Sequence, residues 1–300
     1  MAGDPALMMK PTVSLPGQHD VRAIFDQVAG RYDQHAALER EVGLRLQERL
    51  AFRRREPTRI VDLGSGTGHG TKALKRQFRK AEVIAVDASL EMCQRVRRQS
   101  GFLHPVRPVC ADLSALPVAD RSVDLLFSNL AIQWCENIHA TLAGFRRVLS
   151  PGGLLLFSSL GPDSMKEMKV AAGTAGNPLL ARQFTDMHNL GDALVEAGFS
   201  EPVMDSEFIT TEYPDLQALV TEMALTGAGT HIADWAARIS AGKVLADAYG
   251  PFVRNGRYPV TWEIVYGAAF GPQEGQPVKS REGDVATFSV DFLRASRPRR

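Results

Sequence analysis

Three glycines at alternate positions, Gly64, Gly66 and Gly68, follow the short apolar run of residues 60–63. That run is typical of a buried strand, and the residues after Gly68 are typical of a helix. Glycine has no side chain, so a ligand can touch the backbone of such a turn, and the unpaired N–H groups at the start of a helix favour an anionic group. The pattern therefore predicts a ligand-binding turn, with Asp62 just before it.

Two aspartates follow the next two apolar runs. Asp87 follows the second run and lies 23 positions after Gly64, and Asp112 follows the third. A carboxylate at the first place can accept hydrogen bonds from both hydroxyls of a ribose, although it could also cap the next helix. A carboxylate at the second can accept one from the exocyclic amine of an adenine, with Leu113 over the ring, although aspartate there is often turn chemistry. Beside the glycine turn, ligand binding is the favoured interpretation.

The spacing of the glycines separates two classes of nucleotide ligand. A dinucleotide-binding turn reads G-x-G-x-x-G/A, and its small sixth residue lets the helix pack closely. Here the sixth residue is His69 counted from Gly64 and Thr71 counted from Gly66, so neither fits. Residues 62–68 read D-x-G-x-G-x-G, and over about residues 59–160 the chain resembles the class I S-adenosylmethionine-dependent methyltransferases. The resemblance implies that the cofactor is bound by Asp62, Gly64, Gly66, Gly68, Asp87, Asp112 and Leu113.

Four further segments resemble the malonyl-acyl carrier protein O-methyltransferases of early biotin synthesis. They are residues 128–135 (SNLAIQWC), 29–36 (AGRYDQHA), 226–231 (TGAGTH) and 256–261 (GRYPVT). With them the resemblance extends over about residues 20–270. It implies that Asn129 binds the cofactor, that Tyr32, Gln133 and Trp134 form the boundary between cofactor and acceptor, and that Arg257 holds an acceptor oxygen. Taken alone, each aromatic residue would more often be a packing residue, and Arg257 a surface charge.

The resemblance implies methyl transfer from S-adenosylmethionine, without a metal, to the free carboxylate of a malonyl thioester on acyl carrier protein. A carboxylic acid with a pKa near about 4 is already ionised at neutral pH, so this nucleophile needs no base. Catalysis then depends on positioning, which can contribute on the order of 7–11 kcal/mol, and on a dry pocket. Two alternatives stay open. One is a methyltransferase for another small acceptor (a quinone, with His231 as candidate base, or a free carboxylic acid), and the other is a cofactor-binding assembly factor without transfer.

An alternation of strands and helices from about residue 59 must hold these residues together. Strands are predicted over residues 60–63, 83–86, 106–110, 123–128 and 154–158, with helices over 72–78, 90–99 and 139–149. Apolar strands of this kind suit a parallel sheet covered on both faces. The predicted fold class is α/β, a Rossmann-like class I methyltransferase fold with a mostly parallel seven-stranded sheet, helices on both faces and a helical cap insertion.

The predicted organisation has three parts. Residues 1–18 are expected to be a disordered tail, residues 19–270 the methyltransferase domain, and residues 271–300 a C-terminal extension without a functional interpretation. Within the domain, residues 59–160 form the cofactor half, and about 162–258 form a helical cap over the carboxyl edge of the sheet. The cap is expected to contain helices over residues 190–197, 215–225 and 232–249 and one short strand at 208–211. The last strand lies within residues 260–270.

Composition and charge narrow the function classes. A net charge of +1 over 300 residues gives no argument for nucleic acid, and no apolar run is long enough to span a membrane. Three cysteines without a C-x-x-C pair predict neither disulfides nor zinc, so a cytoplasmic protein is expected. Each basic cluster alone is most simply a solvated helix face, but together they indicate an acidic partner, the acyl carrier protein. These clusters are residues 53–55, 72–80, 95–98 and 146–147.

Overall fold

The computed structural model describes residues 18–101, 105–174, 184–226, 243–273, 278–280 and 283–285. Several predictions fall outside these residues. They are the tail over residues 1–17, His231 with most of the 226–231 segment, the first part of the helix expected at 232–249, and most of the C-terminal extension.

Seven strands form one sheet in the order β3-β2-β1-β4-β5-β7-β6. The strands are β1 Arg59–Leu63, β2 Glu82–Asp87, β3 Arg107–Cys110, β4 Val123–Ser128, β5 Leu149–Leu160, β6 Ser200–Tyr213 and β7 Tyr258–Phe270. β7 runs antiparallel to both of its neighbours, and the other pairs are parallel. The prediction of a mostly parallel seven-stranded sheet is confirmed. A separate hairpin joins β8 Val278–Ser280 to β9 Gly283–Val285.

Helices cover both faces of this sheet. They are α1 Gln18–Val28, α2 Tyr32–His35, α3 Ala37–Glu48, α4 His69–Gln77, α5 Leu90–Gln99, α6 Ile138–Val148, α7 Lys166–Thr174, α8 Met187–Glu196, α9 Leu216–Leu225 and α10 Lys243–Tyr249. Neighbouring strand residues point to opposite faces, so Ile60 joins the core under α3 and α4, whereas Val61 joins the core under α6 and α8. The buried strands therefore read as continuous apolar runs, and helices on both faces are confirmed.

Strand β6 is much longer than the predicted strand at 208–211. It pairs with β7 from Ser200 opposite Phe270 to Tyr213 opposite Tyr258. β6 is the edge strand of the sheet, and alternate residues along most of it are exposed. Acidic residues such as Glu201 and Asp205 occupy these exposed positions, so β6 has no continuous apolar run and most of it was not predicted. The division of the chain into cofactor half, cap and extension stays a prediction.

None of the helices within the described residues combines the length and the apolar character needed to cross a membrane.

Candidate functional site

The glycine turn lies at the carboxyl end of β1 and has a left-handed backbone at Gly64 (φ 69°), Gly66 (φ 53°) and Gly68 (φ 90°). The N–H groups of Gly64 and Ser65 donate to the carbonyl of Val86 at 2.8 and 3.0 Å, so β2 holds the start of the turn. A β-carbon on Gly64 would lie 2.2 Å from the β-carbon of Ala131. Both the backbone angle and the close approach require glycine at this position.

A cavity of about 290 Å³ opens at the carboxyl ends of β1 to β4. This is the edge of an open α/β sheet at which ligands bind. Eight of the sequence-predicted residues line it, namely Tyr32, Gly64, Gly66, Asp87, Asp112, Leu113, Asn129 and Trp134. We call this space the main cavity.

Asp87 is held in the main cavity by two backbone groups. Its Oδ2 accepts from the N–H of Gly66 at 2.8 Å, and its Oδ1 accepts from the N–H of Ser89 at 2.9 Å. Burial raises the pKa of this carboxyl to about 6, although both hydrogen bonds oppose that rise. The cap of α5 is Ser89, whose Oγ accepts from the N–H of Met92 at 3.1 Å. Helix capping is therefore not the role of Asp87.

Asp112 and Leu113 stand where β3 ends. The carboxylate of Asp112 caps the short 3-10 helix Leu113–Ala115, since Oδ1 accepts from the N–H of Ser114 at 2.7 Å and from its Oγ at 2.8 Å. Both residues nevertheless line the main cavity, and Leu113 is buried. Asp112 thus forms the turn and also lines the main cavity, so its two interpretations do not exclude one another.

Asn129 lines the main cavity, and its side chain ties three elements together. Its Nδ2 donates to the carbonyl of Glu39 at 2.8 Å, and its Oδ1 accepts from Oγ of Ser158 at 2.9 Å. This amide therefore joins the end of β4 to α3 and β5. Gly43 of α3 is close by, because a β-carbon there would lie 3.2 Å from Nδ2 of Asn129.

Aromatic rings separate the main cavity from a second, smaller one. The ring of Phe25 lies edge-on to those of Tyr32 and Trp134, with centroids 6.2 and 5.5 Å apart. All three residues line both cavities. Burial and nearby carboxylates raise the pKa of Tyr32 well above its usual value, so its hydroxyl stays protonated at neutral pH. A protonated phenol is not a base, and the ring of Tyr32 packs against Phe25.

The second cavity, of about 40 Å³, contains Gln133 and two carboxyl groups, those of Glu39 and Glu222. Nε2 of Gln133 donates to the carbonyl of Leu130 at 2.7 Å. Most of the remaining wall is apolar or aromatic, from Leu38, Leu160, Tyr213, Met223 and Trp262. The carboxyls of Glu39 and Glu222 were not among the predicted site residues, and only the tertiary structure brings α3 and α9 together.

Comparisons with known proteins identify the family to which this chain belongs. A family model described as a methyltransferase domain matches residues 61–157. A malonyl-[acyl-carrier protein] O-methyltransferase of Gallionella capsiferriformans is 39% identical over 91% of this chain and 96% of its own length. A protein of the same name from Halorhodospira halophila is 40% identical over 92% and 95%. The chain belongs to the malonyl-[acyl-carrier protein] O-methyltransferase family.

The fold is also that of solved methyltransferases. A Haemonchus contortus phosphoethanolamine N-methyltransferase 2 in complex with S-adenosyl-L-methionine matches with a TM-score of 0.55. The match covers 84% of this chain and 60% of that one, at 17% identity. At this identity the likeness concerns the fold alone, and the prediction of a Rossmann-like class I methyltransferase fold is confirmed.

Asp62 and Gly68, which were predicted to bind the cofactor, line none of the described cavities. Asp62 is buried, and its Oδ2 accepts from Oγ1 of Thr71 at 2.5 Å, beneath the start of α4. Burial raises the pKa of the Asp62 carboxyl to about 7. Gly68 is the N-cap residue of α4, and a β-carbon there would lie 3.0 Å from Cγ2 of Val96. Both residues support the turn from below, and their direct contact with the cofactor stays a prediction.

Arg257 also lines none of the described cavities. Its Nη2 donates to the carbonyl of Glu212 at 3.2 Å on the exposed side of the molecule. It lies in the turn before β7, where its backbone pairs with that of Arg254. Arg257 therefore shares no described cavity with Tyr32, Gln133 and Trp134, and its role as an acceptor ligand stays a prediction.

Sequence reasoning missed Phe25, Glu39 and Arg40. Arg40 faces the glycine turn across a third cavity of about 70 Å³, and its Nη1 donates to the carbonyl of Asp33 at 2.5 Å. A signal existed for Phe25, since Val21 and Phe25 are spaced four apart on α1 and both line the main cavity. No comparable pattern singled out Glu39 or Arg40 on their charged helix.

Proposed function

We propose that this protein methylates the free carboxylate of malonyl-acyl carrier protein, with S-adenosylmethionine as methyl donor. The observation that carries the proposal is membership of a family whose curated members bear that name, over nearly the full length of the chain. The product would be the malonyl methyl ester, a starting unit for pimeloyl and hence biotin synthesis, and the cytoplasm is its proposed location.

The residues of the main cavity fit the proposed cofactor. Asp87 supplies a carboxylate for the ribose hydroxyls, Leu113 an apolar cover for the adenine, and Asp112 an acceptor for its amine. At Gly64 and Gly66 the backbone has no side chain between it and the cavity, as the methionine part requires. Arg40 faces the same turn and adds a cation for the cofactor carboxylate. When bound, the cofactor supplies an electrophilic methyl group on a sulfonium.

The acceptor would occupy the second cavity, beyond Tyr32 and Trp134. These residues line both spaces, so the two cavities lie next to one another. An acceptor carboxylate is ionised at neutral pH and needs orientation rather than a base. The mostly apolar wall keeps water away from it, which favours a step in which opposite charges are neutralised. Tyr32, Gln133 and Trp134 are the proposed positioning residues.

An acidic carrier protein would dock beside the mouth of the main cavity. Two of the predicted basic clusters have structural roles, since Arg55 pairs with Asp124 at 2.6 Å, Arg54 pairs with Glu201, and Arg147 pairs with Asp120 at 2.5 Å. α5 borders the main cavity through Met92 and carries Arg95, Arg97 and Arg98. Among the described residues, no acid forms an ion pair with these three arginines. The proposed docking surface is therefore α5.

The experiment is transfer of a labelled methyl group to purified malonyl-acyl carrier protein. The expected product carries the label on an ester, which an esterase releases. Labelling of another acceptor but not of this one would replace the proposed acceptor. Binding of S-adenosylhomocysteine without transfer to any acceptor would favour an assembly role instead.

A further inference from the structure

The second cavity has an unusual charge for a site that receives an anion. Its described wall contains two carboxyl groups, Glu39 and Glu222, and within that part of the chain neither lysine nor arginine lines it. Tyr213 donates its hydroxyl to Oε1 of Glu222 at 2.9 Å, so one carboxyl already has a partner. Glu39 is the remaining acidic group.

The Oε2 atom of Glu39 is shielded from solvent and has no hydrogen-bond partner among the described residues. Buried polar atoms are normally paired, so an orphan of this kind points to a bound molecule. Glu39 lines the second cavity beside Tyr32, Gln133 and Trp134. Its carboxyl therefore lies where the acceptor would be held.

The surroundings of Glu39 favour its protonated form. Burial raises the pKa of its carboxyl to about 7, and the charge of Glu222 on α9 adds to this rise. A hydrogen bond from the backbone N–H of Glu39 opposes the rise in pKa, and so does the charge of Arg40, the next residue on α3. The other titratable groups facing it are Tyr32 of α2 and Tyr213 of β6, whose pKa values are raised and which stay neutral.

We propose that protonated Glu39 donates a hydrogen bond to the acceptor carboxylate, at the oxygen that does not receive the methyl group. This inference rests on the proposed function. The proton stays on Glu39, and the second carboxylate oxygen keeps its lone pairs for the transfer. An ionised Glu39 would repel the acceptor carboxylate. The affinity for the acceptor therefore falls as the pH rises and Glu39 loses its proton.

The same contact also distinguishes substrate from product. The oxygen that accepts from Glu39 belongs to an anion before transfer and to a neutral ester carbonyl afterwards. Hydrogen bonds to charged groups are stronger than those between neutral groups, so the contact weakens when the ester forms. Glu39 thereby favours binding of the free acid and release of the ester.

The test measures the Kd of malonyl-acyl carrier protein by calorimetry, with the enzyme saturated with S-adenosylhomocysteine so that no transfer occurs. If only the protonated fraction binds and the pKa is about 7, the Kd rises roughly tenfold between pH 6 and pH 8. Glu39→Gln carries a permanent donor, so its Kd should stay constant over this range. Glu39→Leu has none and should bind weakly at both pH values.

Two controls isolate the effect. Glu41→Gln removes the same charge from the exposed side of α3 and should keep the wild-type pH dependence. Acetyl-acyl carrier protein lacks the carboxylate, so its binding to the wild type should not change tenfold over this range.

The outcomes separate this inference from the proposed function. Equal Kd values at pH 6 and pH 8 in the wild type, with methyl transfer intact, would overturn the role of Glu39 alone. So would a loss of S-adenosylhomocysteine affinity in Glu39→Gln, because Glu39 would then hold the cofactor. Absence of both binding and transfer in the wild type at every pH would overturn the proposed function.

Discussion

The backbone N–H of Gly66 donates a 2.8 Å hydrogen bond to Oδ2 of Asp87. The glycine turn after β1 and the acid after β2 therefore hold one another in place. The contact orients Oδ2 of Asp87 towards the glycine loop, while the residue lines the main cavity. Asp87 is thus both part of the wall and a candidate ligand.

Replacing Asp87 with alanine is expected to weaken S-adenosylhomocysteine binding by about 10–100-fold, since hydrogen bonds to a charged group contribute about 1.5–3 kcal/mol. Asp87→Asn keeps the shape and tests the charge alone. Calorimetry gives the affinity, and a melting curve shows that each variant is folded. Asp192→Ala on the exposed side of α8 should bind like the wild type. Unchanged affinity in folded Asp87→Ala would remove Asp87 from the cofactor site.

Gly64→Ala is expected to destabilise the fold by at least about 2 kcal/mol. The left-handed backbone costs an alanine about 1–2 kcal/mol, and the added carbon, 2.2 Å from that of Ala131, forces a further shift. Urea unfolding measures the difference. Gly101→Ala is the matched control, because no described atom lies within 4 Å of an added carbon there. Equal stability of the two variants would contradict the close approach at Gly64.

Asp62→Asn is expected to change how stability depends on pH. Burial raises the pKa of Asp62 to about 7, against about 3.9 in the unfolded chain, so the folded state keeps a proton that the unfolded state loses. The wild type should therefore lose up to about 4 kcal/mol as the pH rises from about 4 to about 7 through this group alone. The raised pKa values of Asp87 and Glu39 act in the same direction.

Asparagine cannot ionise, so Asp62→Asn should show a flatter stability profile between pH 5 and pH 8. Free energies of unfolding from urea titrations at both values measure the slope. Parallel profiles for wild type and variant would show that Asp62 is ionised in the folded protein at both values.

Arg257→Ala is expected to change the KM for malonyl-acyl carrier protein by less than about twofold, as for a surface substitution. Its guanidinium donates to the carbonyl of Glu212 outside the described cavities. Initial rates at saturating cofactor provide the measurement. A large rise in KM with cofactor affinity intact would instead support its predicted role as an acceptor ligand.

Salt should slow the reaction on the carrier-bound substrate. If α5 steers an acidic partner, kcat/KM for malonyl-acyl carrier protein falls as salt rises, and Arg95→Glu with Arg98→Glu lowers it about tenfold at low salt. Malonyl-pantetheine has no carrier and should be much less affected. Arg79→Glu with Lys80→Glu makes the same charge change at exposed residues just before β2 begins and is the matched control. Turnover independent of salt would argue against α5 as a docking surface.

The sequence by itself determined the parallel half of the fold and most of the main cavity. The carboxyl ends of neighbouring parallel strands meet at one edge, so residues placed after each strand, such as Gly64, Asp87 and Asp112, had to converge. Their order along the chain was enough to predict a nucleotide site. The full length of β6 was not predictable in the same way, because an edge strand exposes polar residues on one side.

Only the tertiary structure decided which predicted residues reach the cavities. Asp62 and Gly68 belong to the same motif as Gly64 and Gly66. The carboxyl of Asp62 nevertheless accepts from Thr71, and Gly68 lies against Val96. Glu39 became a candidate because α3 and α9 close the second cavity around it. That packing buries its Oε2 without a hydrogen-bond partner among the described residues. Local spacing records which residues are neighbours along the chain, whereas burial and pairing depend on elements that meet only in the folded protein.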